Sequence, residues 1–163
     1  MIVGGMFRPG MRAYVVPLVA GLVLAVSAFL PWISVGDVSI MGFPDVTALW
    51  IVGLGLLAAV LATLSLWTRK NSRHPLLVVG LVALGIMFLS WRLMPRVMTD
   101  RALTRSQALA IVDNAPVQSG PAAVPGPGIY IGLAASCAIV GFGLTIVVRR
   151  AVTPYAVEID DDV

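Results

Sequence analysis

Few residues in this chain have side chains able to do covalent or metal chemistry. Histidine occurs once, at His74, and cysteine once, at Cys137. A structural zinc site takes four Cys or His ligands and a catalytic one about three, so a single chain with one of each does not build either from them. One cysteine also excludes an internal disulfide. Cys137 sits in the middle of an apolar run, where its thiol is expected to stay protonated and inert and to serve as a small packing residue. His74 stands in a basic stretch (Arg69, Lys70, Arg73), which is poor surroundings for a haem ligand. No Gly-rich phosphate loop, metal-ligand pair or nucleophile motif is present, so the expectation is a protein that is not an enzyme, with no catalytic residue and no cofactor or metal.

The carboxylates read as structural or solvated. Asp45 directly precedes an apolar run and is placed to N-cap a helix there, accepting from its free amides at the positive end of the helix. The last residues, Glu158-Ile159-Asp160-Asp161-Asp162-Val163, form an acidic tail within 151–163. Such a run can bind a cation or a basic partner. Charge repulsion is expected to keep it extended.

The elements that must position these residues follow from composition. Of 163 residues, 59% are hydrophobic and 12% charged. A soluble domain carries about 25% charged residues, so this chain lacks the polar surface to cover a globule in water. The same composition excludes intrinsic disorder. The expected fold is an all-α integral membrane protein, a four-transmembrane-helix bundle forming one domain over 1–150. Its spans are expected at 13–32, 46–67, 75–93 and 128–148, each near the roughly 20 residues needed to cross a bilayer. The four runs contain no Asp, Glu or Lys; their one arginine, Arg92, lies within a turn of a span end, from which it can snorkel.

Trp32, Trp50, Trp67 and Trp91 fall near span ends, and Tyr14 and Tyr130 at span starts. These six are expected to be interfacial anchors, because indole and phenol rings favour the headgroup region. The basic residues give the orientation. Arg8 and Arg12 precede span 1; Arg69, Lys70 and Arg73 join spans 2 and 3; Arg149 and Arg150 follow span 4. The loop after span 1 has only Asp37 and Asp45. Both termini are therefore expected on the cytoplasmic side, against the opposing signal of Arg92, Arg96, Arg101 and Arg105 at and after the end of span 3, which Asp100 and Asp113 partly offset. The net charge of +3 is assigned to topology, with no nucleic acid partner. Val26-Ser27-Ala28 resembles a signal-peptide cleavage site, but the apolar run continues through Phe29-Leu30 to Trp32, so span 1 is expected to be retained.

Two outer segments should form a small cap. Residues 33–40 alternate apolar and polar around Gly36-Asp37, a pair suited to a two-residue β-hairpin turn. An eight-residue hairpin is marginal alone and needs the membrane surface, the other outer loop or a partner strand, and an irregular loop is the equal alternative. The second segment runs from Met94 to Pro127. Pro95 is expected to end or kink span 3, and a short helix to follow over about 99–113, either lying on the outer leaflet or exposed to solvent. Pro116, Pro121, Pro125 and Pro127 are expected to make the remainder a stiff linker without packed structure.

Small residues repeat at helix-packing distance: Gly128, Gly132 and Ser136 in span 4, Gly55 and Ala59 in span 2, Gly21 and Ala25 in span 1. Such spacing lets helix backbones approach closely. It serves packing inside the bundle or contact with a partner chain.

Leu30-Pro31-Trp32 closes span 1, Gly42-Phe43-Pro44 precedes span 2, and Arg69-Lys70-Asn71-Ser72-Arg73 joins spans 2 and 3. Over about residues 13–90 the chain resembles small four-span bacterial membrane proteins, including the actinobacterial tryptophan-associated transmembrane family. The resemblance implies a multi-pass protein of the bacterial inner membrane and carries no activity or functional residue with it. The leading functional expectation is a structural or accessory subunit, its partners being the lipid bilayer and other membrane subunits or itself. The hairpin and the Gly128–Ser136 stripe are its expected contacts. A small transporter or channel for a neutral solute is the alternative, and a sensor using the outer loops the third.

Overall fold

A computed structural model describes residues 12–68, 73–113, 116 and 122–152, excepting the side chains of 12, 73, 113 and 146–152. A single 3-10 turn, Arg12–Tyr14, leads into α1 (Val15–Ser27). Strands β1 (Pro31–Val35) and β2 (Val38–Met41) follow, then α2 (Val46–Thr68), α3 (Arg73–Asp113), β3 (Ala123–Pro125) and α4 (Pro127–Val152). Three helices are long and apolar enough to cross a membrane: Val46–Thr68, a stretch of α3 from His74 to Val112, and Pro127–Thr145. Among the elements, α1 packs on α2 and α4, and α3 packs on α4 and α2.

The apolar run expected as span 1 does not stay helical to Trp32. Its helix is 13 residues long, about 20 Å at 1.5 Å per residue. Ala28, Phe29 and Leu30 turn the chain, and Pro31 begins a strand. Pro31 has no N–H to continue the helix ladder, and its ring disfavours helical backbone at Leu30. The β-branched and aromatic residues that follow suit a strand.

The opposite departure occurs at Pro95. Helix α3 runs unbroken through it for 41 residues, about 60 Å. The separate helix expected at 99–113 is the end of this one. Proline removes the bond its N–H would have given to the carbonyl of Trp91, a cost of about 3 kcal/mol in a helix interior. Met94 and Met98 on either side of it pack against the core, and the residues beyond include the strong helix formers Arg, Ala, Leu and Gln. The continuous helix carries 99–113 along the same axis as the rest of α3.

The hairpin forms as its sequence indicates. Val35 pairs with Val38 across the Gly36-Asp37 turn, and Gly36 holds φ of 58°, which glycine adopts without Cβ strain. The register shifts between Pro31 and Ile33. Such an irregularity allows the consecutive Trp32 and Ile33 both to be buried. The proline-rich segment expected as unpacked linker supplies the third strand. Ile33 pairs with Pro125, Ser34 with Val124 and Val35 with Ala123, giving the antiparallel order β2-β1-β3. Pro125 is tolerated because β3 is an edge.

The core runs the length of the bundle and into the cap, through Leu24, Ile51, Leu76, Met87, Ile129 and Ile139 to Trp32 and Ile33. Arg8, Arg69, Lys70, Pro121 and the acidic tail 153–163 lie outside the described residues.

Candidate functional site: the helix crossings and the cap

The small residues on α1 and α2 meet each other. A Cβ placed on Gly21 would lie 2.7 Å from the Gly55 carbonyl oxygen and 2.9 Å from the Ala59 amide nitrogen. One on Gly55 would lie 2.6 Å from the Gly21 carbonyl oxygen and 2.7 Å from the Ala25 nitrogen. The two backbones touch where Gly21, Ala25, Gly55 and Ala59 were expected to allow it.

Span 4 uses its stripe in the same way, inside the chain. Gly128 sits against the Trp32 ring and the carbonyl oxygens of Pro31 and Ser27. Gly132 faces Met87 and the Ser27 hydroxyl, and Ser136 is fully buried. The expectation that Gly128, Gly132 and Ser136 present a partner-binding face is therefore corrected: α1, α3 and the cap already cover them. Cys137 and Gly141, next to the stripe, point the other way. Cys137 is exposed, and nothing lies within 4 Å of a Cβ at Gly141. The cysteine is thus on the outside of the bundle instead of within its packing.

Hydroxyls in the helices mostly bond to their own backbone. Ser27 donates to the Leu24 carbonyl at 2.7 Å, Thr63 to Ala59 at 2.8 Å, Ser90 to Ile86 at 2.8 Å, Ser136 to Leu133 at 2.9 Å and Thr145 to Phe142 at 2.7 Å. Ser65 departs from this pattern: its hydroxyl is buried without a hydrogen-bond partner among the described residues. Asp45 caps α2 as its position indicates, its carboxylate accepting from the Thr47 amide at 2.9 Å.

The aromatic residues divide into two groups. Trp50 is 64% exposed and Trp67 84%, Tyr130 is exposed, and Trp91 is half-buried beside Phe88. Trp32 is 1% exposed and Tyr14 is buried, so neither ring is a surface anchor. Trp32 plugs the end of α1. Its indole N–H donates to the Ser27 carbonyl at 2.9 Å, beside the Leu30 amide that donates to the same oxygen at 3.3 Å, and so shares in capping the helix C-terminus. Tyr14 meets Phe142 edge to face, with ring centres 5.0 Å apart. Position in the sequence cannot separate a ring at a span end that faces lipid from one that faces the next helix.

The helix contacts also fix relative heights. Gly21 lies level with Gly55, while Ser27, Gly132 and Met87 meet one another, and Gly143 meets Leu77. Six residues from Gly21 to Ser27 and five from Gly55 to Trp50 bring Trp50 to the same layer. Trp67 lies 17 residues further along α2, about 26 Å away.

Beyond that layer stands the cap. Its β2 edge is open: all four residues, Val38 to Met41, are exposed. In a two-residue hairpin the residues flanking the turn exchange hydrogen bonds, so Val38 and Ile40 bond inward to β1. The Gly42 amide, bonding to the Leu30 carbonyl at 3.2 Å, continues that phase. The backbone groups of Ser39 and Met41 then point away from the sheet. A cleft of about 140 Å³ separates β2 from the helices, lined by Trp32, Ile33, Ile40, Met41, Met94 and Met98 among others.

No family model, curated protein or solved structure matches this chain. The class the geometry defines is a helical protein with three helices able to cross a membrane, closed at one end by a three-stranded sheet.

Proposed function

We propose that this is a multi-pass membrane protein without enzymatic chemistry, serving as a structural or accessory subunit that packs against itself or a larger membrane complex. The observation that carries this reading is the contrast between a filled interior and an open cap edge. Leu24, Ile51, Leu76, Met87, Ile129 and Ile139 occupy the middle of the bundle, and glycine contacts bring its backbones together. The polar backbone of Ser39 and Met41 and the apolar side chains of Val38, Ile40 and Met41 remain without cover. Natural sheets blunt such edges with charges, prolines or covering elements. Here β3 ends in Pro125 and packs beside α3, whereas Val38-Ser39-Ile40-Met41 has neither proline nor charge. The packing of the interior weighs against a path for a solute.

In this reading α1, extended by the Arg12–Tyr14 turn, is a fourth crossing element lying against α2 and α4. The layer of Trp50, Met87 and Tyr130 lies at one membrane face and Trp67 at the other. Their separation of about 26 Å approaches the roughly 30 Å of a hydrocarbon core. The basic residues at the Trp67 end put both termini on the cytoplasmic side of a bacterial inner membrane and the cap outside. The resemblance to the tryptophan-associated transmembrane family supports the same placement.

The test is gentle extraction from native membranes followed by measurement of particle mass and composition. The expected result is a defined assembly larger than one chain, diminished when Ile40→Lys charges the open edge and unchanged in helix content. A lone particle of monomer mass overturns the subunit reading.

A further inference from the structure

The part of α3 beyond the cap contact is a second uncovered surface. Met94 and Met98 still pack on the core, but Leu103, Leu109, Ile111 and Val112 are exposed, the last two at 83% and 80%. Val97, Arg101, Thr104, Arg105 and Ala108 line one shallow groove with Asp100. Arg101 and Arg105 are one turn apart, and among the described residues neither forms an ion pair with a carboxylate. A lone helix of this length is marginal in water and gains little by displaying isoleucine and valine there.

Lipid cannot cover this surface in the placement proposed above. Counting from Met87, Arg101 lies 14 residues on and Arg105 18 residues on, about 21 and 27 Å along the axis. The headgroup layer adds only about 5–8 Å outside the hydrocarbon, and a typical tilt of about 20° shortens the heights by less than a tenth. Arg92, at about 8 Å, reaches headgroups; Arg101 and Arg105 do not.

The complementary surface is present in the chain itself. Asp37 stands at the hairpin tip, exposed, and among the described residues has no cationic partner. The uncharged apolar β2 edge begins beside it. Asp45, the other acid of that loop, is engaged in capping α2. We propose that the α3 extension of one copy docks against the hairpin of a second copy, Arg101 and Arg105 taking the Asp37 carboxylate and the exposed Val97, in the same groove and nearer the membrane, covering apolar residues of the β2 edge. Two copies inserted the same way hold both surfaces on the same side of the membrane. A two-fold axis along the membrane normal makes the contact twice and closes the assembly. Arginine suits the contact because its planar fork binds a carboxylate through two hydrogen bonds.

This inference rests on the subunit reading and names its partner as a second copy. The test uses the full chain in membranes, in a Cys137→Ala background. One tagged copy carries Val38→Cys and a differently tagged copy Thr104→Cys, and a short bismaleimide links them. The expected result is a mixed-tag dimer that falls at least fivefold when the Thr104→Cys copy also carries Arg101→Glu and Arg105→Glu. Adding Asp37→Arg to the Val38→Cys copy should restore it. All five of these positions, Asp37, Val38, Arg101, Thr104 and Arg105, are exposed, and retained helix content verifies the fold of each variant. A mixed-tag dimer indifferent to these charges overturns the inference, as does absence of the dimer. Particle mass then separates the failures: a larger particle containing other proteins sinks only the self-docking, whereas a monomer sinks the subunit reading as well.

Discussion

The α1–α2 crossing and the cap solve the same problem in opposite ways. At Gly21 and Gly55 the side chains have been removed, so that two backbones touch and nothing further fits between them. At the end of α1 the chain does the reverse. It inserts its bulkiest side chain, Trp32, as a plug whose N–H helps cap the helix terminus. The first contact is saturated: each helix offers the other a surface with no room left. The second covers the bundle but leaves an edge of its own uncovered. In the subunit reading proposed above, contacts with other molecules belong at the cap, because small residues that already touch a neighbouring backbone have no surface to offer a partner.

The α1–α2 crossing is most sensitive at Gly55. Gly55→Leu would drive a side chain into the Gly21 carbonyl and the Ala25 backbone, neither of which can rotate away. The expected loss is about 3 kcal/mol or more, at the upper end of overpacking effects, measured as unfolding in mixed detergent. Unchanged stability would mean that α1 and α2 do not cross here. Trp32→Phe tests the cap separately. It keeps most of the ring but withdraws the hydrogen bond to Ser27, and should cost about 1–2 kcal/mol. Amide exchange should rise in β1 and at the end of α1 while the α1–α2 crossing stays protected. The smallest effect is expected at Gly85, where a Cβ meets nothing within 4 Å. Gly85→Ala should shift stability by no more than about 0.5–1 kcal/mol, in the stabilising direction through helix propensity. A large loss there would show that this face is covered in the native membrane, which would itself sharpen the search for a partner surface.

Much of the fold was legible because its signals are local. The apolar runs at 46–67 and 128–148 closely match α2 and the membrane-length part of α4. Gly36-Asp37 marked the hairpin turn, and Asp45 marked the start of α2, because a turn and a cap depend on a few adjacent residues. The small residues at Gly21, Ala25, Gly55 and Ala59 indicated close packing correctly. The misreadings share one cause. Proline at 31 ends a helix and proline at 95 does not; the difference lies in what the following residues find to pack on. Strand β3 was hidden because three residues ending in proline carry no pattern of their own. They form a strand only because β1 offers an edge.

By itself the sequence determined that the chain must bury long apolar segments, where turns and caps fall, and that helices could approach closely at glycine. These follow from composition, period and backbone geometry, which act over a few residues. Only the tertiary structure decided which face each helix turned inward. It sent Trp32 and Tyr14 to the core and left Trp50 and Trp67 outside. It also closed the Gly128–Ser136 stripe against Met87, Ser27 and Trp32 and left the β2 edge open. The physical reason is that burial belongs to pairs of surfaces. A residue fixes its own chemistry, but whether that chemistry faces lipid, a neighbouring helix or a second molecule depends on which distant segment arrives beside it.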